Sequence, residues 1–155
     1  MKTAIQPAGI WRAFGCHSMG LATGRGRQVL LGGQVAWDER RHVVGLGDMR
    51  AQAQQIFRNI AATLAAVGGE MDDVVSIVTY VTTPRGLKDI HEVRTEFFSK
   101  PYPVSTLVQV AALVDPELLI EITATAIVPE DRYRAPEAAA PDSFDVSDGG
   151  FNLSN

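Results

Sequence analysis

The sequence predicts an α+β sandwich in which two helices pack on one face of a mixed sheet. Three observations lead there. Apolar residues recur at helical spacing over Ala53 to Val67 and again over Leu87 to Phe97. A β-branched run, Val74 to Thr82, lies between these two stretches. The segment PVSTLVQVAALVDPELLIEITATAIVP, residues 103 to 129, then reads as two apolar strands around an Asp-Pro turn. On this reading residues 1–130 form one domain. Residues 131–155, where Ala, Pro, Asp, Ser and Gly displace periodic apolar positions, form a peripheral tail that Phe144 and Phe151 could tack to the surface.

The elements follow in chain order. GLATGRGRQVLLGGQVAW, residues 20 to 37, predicts a strand end, a tight Gly-Arg-Gly-Arg turn and a second strand over Gln28 to Val35, a hairpin. Gly24 and Gly26 do not make a phosphate loop, because a third glycine is missing and an apolar strand follows where a helix should begin. Trp37 to Gly47 is polar and carries His42, as a surface loop would. Asp48 is placed to accept the orphan amide hydrogens of a first helix. Ala53, Ile56, Phe57, Ile60, Leu64 and Val67 give that helix its buried stripe, and Gly68 its left-handed stop. Val74 to Thr82 predicts a strand covered on both faces. Pro84 opens the second helix, whose stripe is Leu87, Ile90, Val93 and Phe97 and whose end is Lys100-Pro101. The sheet face away from the helices keeps apolar residues, drawn by parity from Val75, Ile77, Val81, Leu107, Leu119 and Ile127, so self-association is expected to cover it.

Composition removes several functions. With 155 residues, 46% of them hydrophobic and 21% charged, the chain is an ordinary globular protein, and its net charge of -4 argues against a nucleic-acid footprint. Cys16 is the only cysteine, which excludes an intramolecular disulfide and fits a reducing compartment. No apolar run reaches bilayer length and no leader is evident, so a cytoplasmic protein is expected. The three histidines are too scattered for a metal motif, and no Gly-x-Ser-x-Gly elbow activates a serine.

Strand parity groups Glu121 with Leu119, Thr123 and Thr125, opposite Ile120, Ile122, Ala124 and Ala126. Two readings stand. On a half-exposed strand Glu121 is a solvated surface residue; buried between subunits, it is a general acid or base. His17 and His91 divide in the same way, between interface residues and proton-trading groups, and His91 shares a helix face with Arg94 and Phe98 at spacings of three and seven.

The segment from Pro103 to Val128 resembles the signature of the RidA/YjgF family of reactive intermediate deaminases. GGQVAWD (32–38), NIAATLAAVGGEMDDVVSIVTYVT (59–82) and HEVRTEFF (91–98) extend the likeness over roughly residues 10 to 128. The resemblance implies a chorismate-mutase-like subunit assembling as a homotrimer, with clefts between subunits in which imines and enamines are hydrolysed without a cofactor. It aligns Glu121 with the family glutamate that positions water, and Gly33 with a glycine that lines the cleft. Ser105 stands where the family has the arginine that grips a substrate carboxylate, and serine has neither its charge nor its fork. Leu107 replaces a common cysteine, His91 an asparagine, and His17 beside Ser18 the aromatic of a Tyr-Ser pair. These departures point to a pocket shaped by His17, Ser18, Gly33, His91, Ser105 and Leu107 around Glu121, with a larger or uncharged substrate. One of Arg25, Arg27, Arg40, Arg41 and Arg50 could return the lost charge from a neighbouring subunit. The competing expectation is a non-enzymatic small-molecule-binding or interaction protein on the same scaffold.

Overall fold

The structure, a computed structural model, describes residues 1–137. The expected tail lies mostly outside the described residues, as do Phe144 and Phe151. Its first part, 131–137, is partly anchored: Arg132 donates to the Gly68 carbonyl and pairs with Asp73 and Glu70.

Among the described residues six strands and two α-helices are laid out as β1 (Lys2–Ile5), β2 (Gly20–Thr23), β3 (Arg27–Val35), α1 (Met49–Ala65), β4 (Val74–Val81), α2 (Leu87–Phe97), β5 (Val104–Gln109) and β6 (Ile120–Val128). The main sheet has the order β3-β6-β4-β5, with β4 and β5 parallel and the other neighbours antiparallel. Both helices cover one face, so the α+β sandwich expected from the sequence is the fold observed.

α1 forms where its stripe predicted. The Asp48 side chain accepts from the Ala51 amide, and Gly68 adopts φ +76°, the left-handed geometry that lets the chain leave the helix. Its stripe of Ala53, Ile56, Phe57, Ile60 and Leu64 is fully buried against β3, β4 and β6. β6 supplies the opposing surface by strict alternation: Ile120, Ile122, Ala124, Ala126 and Val128 point under the helices, and the residues between them are half-buried on the other face. Across the helices, Arg50 of α1 pairs with Asp89, Glu92 and Glu96 of α2.

Several expectations need correction. β2 does not form a hairpin with β3; it pairs with β1 in a separate two-stranded sheet. A reason lies at Gly26, where a Cβ would stand 2.6 Å from the Val128 carbonyl oxygen, so the turn steers β3 onto β6 rather than back onto β2. β1 itself carries too short a pattern to be seen in the sequence. Pro84 precedes α2 without opening it, and the first helical residue is Leu87, after Gly86 at φ +86°. β4 is covered on one side only: Val74, Ile77, Thr79 and Val81 are buried, and Ser76, Val78 and Tyr80 are half-buried on the open face. Ile77 and Val81 therefore belong to the core, the parity having been shifted by an irregularity between Val74 and Ser76 in the pairing with β6. Leu107 is opposite Thr79 in the parallel ladder, which places it on the helix side as well. The open face does remain apolar in part, with Leu30 74% and Val108 40% exposed.

Phe57 sits at the centre of the helix layer, its ring centroid 5.3 Å from those of both Phe97 and Phe98. Phe57→Ala is expected to cost about 3–5 kcal/mol of stability, measured by urea unfolding. A loss below about 1 kcal/mol would contradict this account of the core.

Candidate active site

Two separate constellations result from this framework. The first is on the open face. Glu121 stands opposite Tyr80 of β4 in the middle of the sheet, half-buried, and makes no hydrogen bond or ion pair among the described residues. Beside it β3 is irregular between Leu31 and Gln34, a bulge occupied by Gly32 and Gly33. A Cβ on Gly33 would overlap the Glu121 Oε1 atom and come within 3.0 Å of Cδ. A side chain here would push the flexible end of Glu121 aside, so the glycine fixes where the carboxylate lies. Its backbone forms the floor on which the carboxylate rests.

The second constellation lies at the β5 edge on the helix side. Ser105 and Leu107 are opposite Ile77 and Thr79, whose side chains are buried under the helices. Residues 11–18 run beside the start of β5: Ser18 bridges to Val104, its amide donates to the Pro103 carbonyl at 3.2 Å, and its hydroxyl donates to the Tyr102 carbonyl at 2.6 Å. The Ser18 hydroxyl therefore holds backbone. The His17 ring lies against Phe14 and Trp11, with centroids 5.8 Å and 6.2 Å away, and lines an open cleft of about 430 Å³ with Gly15, Ser18, Lys100 and Tyr102.

His91 projects from α2 toward the same loop. A Cβ on Gly15 would stand 3.3 Å from His91 Nδ1, and the Cys16 thiol donates to the His91 carbonyl at 3.5 Å. His91 Nδ1 is buried without a hydrogen-bond partner. Burial lowers the His91 pKa, and repulsion from Arg94 and then His17 lowers it further, so the imidazole is neutral at pH 7.

His17, Ser18, His91, Ser105 and Leu107 are thus gathered in one region of the chain, and Glu121 with Gly33 in another. β6 is two strands from β5, roughly 10 Å at ordinary strand spacing. The two groups also face opposite sides of the sheet. Of the loop arginines, Arg27 pairs with Glu130 and stacks on Tyr133, Arg40 pairs with Glu39, and Arg50, which is helical, is held by three carboxylates.

On the helix face that carries His91 and Phe98 the structure buries a charge, Arg94. It is 2% exposed, donates through Nη2 to the Thr79 hydroxyl at 2.9 Å, and leaves Nε without a partner. Burial lowers its pKa to about 10, opposed only by the Cys16 thiol, so it is still a cation at neutral pH. A signal existed: Ile90, Val93, Arg94 and Phe97 are one continuous helical stripe, and a charge inside such a stripe is out of place on a solvated face.

The α+β sandwich with both helices on one face of a mixed sheet is the fold class this chain shares with solved relatives. This chain belongs to the RidA/YjgF family: the family model described as Endoribonuclease L-PSP matches residues 12–128. It is 34% identical over 131 residues to the RutC family protein YjgH of Escherichia coli, covering 83% of this chain and 97% of that one. It is 35% identical over 88 residues to a protein of Dermatophagoides farinae named 2-iminobutanoate/2-iminopropanoate deaminase, covering 57% of this chain and 69% of that one. Among solved structures, YyfB of Yersinia pestis, from the conserved Rid family, superposes with a TM-score of 0.72 at 32% identity, covering 82% of this chain and 98% of that one.

Two outcomes test this geometry. Gly33→Ala should cost up to about 1 kcal/mol in thermal unfolding, because the Glu121 carboxylate can swing aside, and still less in a Glu121→Ala background, where no carboxylate has to move. Equal losses in both backgrounds would contradict the packing described. For His91, the unfolded chain takes up a proton first as pH falls, so stability contributed above about pH 6.5 is lost below it. An NMR titration should place the His91 midpoint below the ordinary imidazole value, and a midpoint at or above that value would refute the assignment.

Proposed function

We propose that this protein is a cofactor-free hydrolase that converts a small imine or enamine into a carbonyl compound and ammonium. The reaction occupies a cleft where the open sheet face of one copy, carrying Glu121 and Gly33, meets the β5 edge of the next, carrying His17, Ser18, His91, Ser105 and Leu107. The assembly is a homotrimer. The observation that carries this reading is the unpaired Glu121 carboxylate held over the Gly33 backbone in the middle of a half-buried sheet face. A carboxylate with no side-chain partner among the described residues retains both oxygens for a water molecule. The deaminase name of the Dermatophagoides relative supports the same chemistry.

The step requires little machinery. Water held by Glu121 attacks the electron-poor carbon of the iminium as the carboxylate accepts its proton. The carbinolamine nitrogen then takes that proton, the carbon–nitrogen bond breaks as the carboxylate accepts the hydroxyl proton, and that proton passes to the departing ammonia, so iminium plus water become carbonyl plus ammonium. No oxidant or metal enters this balance. The net charge of -4 favours a small-molecule substrate over RNA.

Ser105, with no fork to hold an anion, is the observation that favours the alternative of a binding protein without turnover. Imines generated in situ by an amino-acid oxidase, trapped as semicarbazones, separate the two. Acceleration by the wild-type protein supports the hydrolase, and Glu121→Gln should then lower turnover by roughly 100-fold or more, since an amide cannot accept the proton. Undiminished turnover would remove Glu121 from the mechanism, and binding without acceleration would favour the second reading. Light scattering should give three times the chain mass of 16.7 kDa for wild type and variant alike. A mass of 16.7 kDa at micromolar concentration would remove the cleft.

A further inference from the structure

We propose that Trp11 and Phe14 form an aromatic subsite beside His17, so that the imine taken by this cleft carries a flat aromatic side chain. The inference rests on the proposed site at the β5 edge and names the class of substrate that site prefers. Three observations carry it. The first is exposure: Trp11 is 61% and Phe14 73% open to solvent among the described residues. Their ring centroids are 6.2 Å apart, and both stand against His17 at interplanar angles of 49° and 77°, so the three rings form one cluster with faces left uncovered. Two large rings held together in water forgo the burial a core would give them, and a contiguous apolar patch of this kind marks a binding surface.

The second observation is that hydrogen bonds to the backbone, and not the rings, fasten this segment. Gln6 Nε2 donates to the Trp11 carbonyl at 3.2 Å and Gln6 Oε1 accepts from the Ala13 amide at 3.0 Å, so one side chain ties the stretch that presents the rings. Further on, the Ser18 hydroxyl fixes the chain to the Tyr102 carbonyl. A segment anchored in this way holds Trp11 and Phe14 in place before a ligand arrives, and less ordering entropy is lost on binding. Third, the rings adjoin a cleft of the right size and polarity. Gln6 and His17 both line the open cleft of about 430 Å³, to which Ile5, Ala13, Met19, Pro101 and Tyr102 contribute apolar surface. That volume lies within the range of roughly 300–1,000 Å³ typical of clefts for drug-sized ligands, and it exceeds what a three- or four-carbon imine fills. Lys100 is the only lysine or arginine on the lining, and no carboxylate is there. A planar ring suits such a place better than an aliphatic chain, because it can stack on one aromatic neighbour while meeting another edge-on. The larger substrate expected from Ser105 thereby acquires a chemical class.

The test compares the imines of phenylalanine and alanine, made in situ by an amino-acid oxidase and trapped as semicarbazones; the two differ only in the phenyl group. Wild-type kcat/KM should be higher for the phenylalanine imine on the order of 10-fold. The imine of cyclohexylalanine, equally bulky but neither flat nor aromatic, should fall between. Replacing both rings, Trp11→Ala with Phe14→Ala, should lower kcat/KM for the phenylalanine imine by roughly 5- to 50-fold, chiefly through KM, and change the alanine imine by less than about twofold. Trp11→Leu with Phe14→Leu, which keeps apolar bulk without a ring, should act in the same direction, and it decides the question if the alanine pair does not fold. A wild type that favours the alanine imine, equal rates on the phenylalanine and cyclohexylalanine imines, equal losses on all three, or no loss on any would overturn the proposal. If the wild type hydrolyses none of them, the hydrolase reading fails separately, and titration calorimetry with phenylpyruvate and pyruvate tests the subsite alone. Tighter binding of phenylpyruvate that the double substitution abolishes supports it; no binding of phenylpyruvate, or binding that the substitution leaves unchanged, overturns it. Rings that instead hold a second copy of the chain would show as loss of the trimer in the double variant with equal losses on every imine, and this too would overturn the subsite.

Discussion

The constraint on which this molecule depends is that one β-strand serves two environments through a period of two. Along β6 the inward set, Ile120, Ile122, Ala124, Ala126 and Val128, completes the core under α1, and the outward set, Glu121, Thr123 and Thr125, is left on a face without a covering layer. Ala124 and Ala126 are small because the helix lies close above them. The outward residues are free to be polar because no described residue forms a layer over them. Slipping the register by one residue would bury Glu121 under the helices and expose the isoleucines, so the core energetics alone fix the carboxylate on the open side. The irregularity at Gly32 and Gly33 is tied to that choice, since the carboxylate occupies the volume a β3 side chain would fill.

The helix side is organised by the opposite requirement, keeping a charge inside. α2 is held to α1 at its solvent margin by Arg50 and three carboxylates, which are exposed enough that each pair contributes little by itself. The burial of Ile90 and Val93 does more, and it carries Arg94 inward with them. The Thr79 hydroxyl receives one of the guanidinium's donors, and the loop of residues 15–17 excludes water from the rest. Burial and then the Arg94 charge lower the affinity of His91 for protons, so at neutral pH the Arg94 cation stands beside a neutral imidazole.

Much of this was legible in the sequence, and the failures have physical causes. α1, from its Asp48 cap to its Gly68 stop, and the outward parity of Glu121 were both readable because cap chemistry and hydrophobic period are local. The pairing of β2 was not, because strand partners are chosen by residues far apart; nothing within 20–37 indicates that Lys2 to Ile5 will take β2. Ile77 and Val81 were assigned to the open face because apolar residues on both parities of β4 hide a one-residue irregularity. The grouping of His17, Ser18, His91, Ser105 and Leu107 followed from family resemblance rather than spacing. Their separation from Glu121 within one chain is visible only once the strand order is known. Arg94 had been seen to share a helix face with His91, yet the significance of that face depended on what lay above it, which no helical period can report.

The placement of the two half-sites also bears on how copies would have to meet. One lies on the outer face of β6 and the other on the helix side of β5, so they look away from one another across the sheet. Two copies related by a two-fold axis bring identical patches together, and a pair of surfaces facing opposite directions cannot both be satisfied by a single such contact. A head-to-tail contact satisfies one half-site on each side of every chain and leaves the other half-site for the next copy. Repeated, that contact either propagates or closes into a ring, and closure is the form that leaves no apolar open face exposed. A closed ring would therefore set the Glu121 face of each chain against the β5 edge of the next and cover Leu30 and Val108 in the same act.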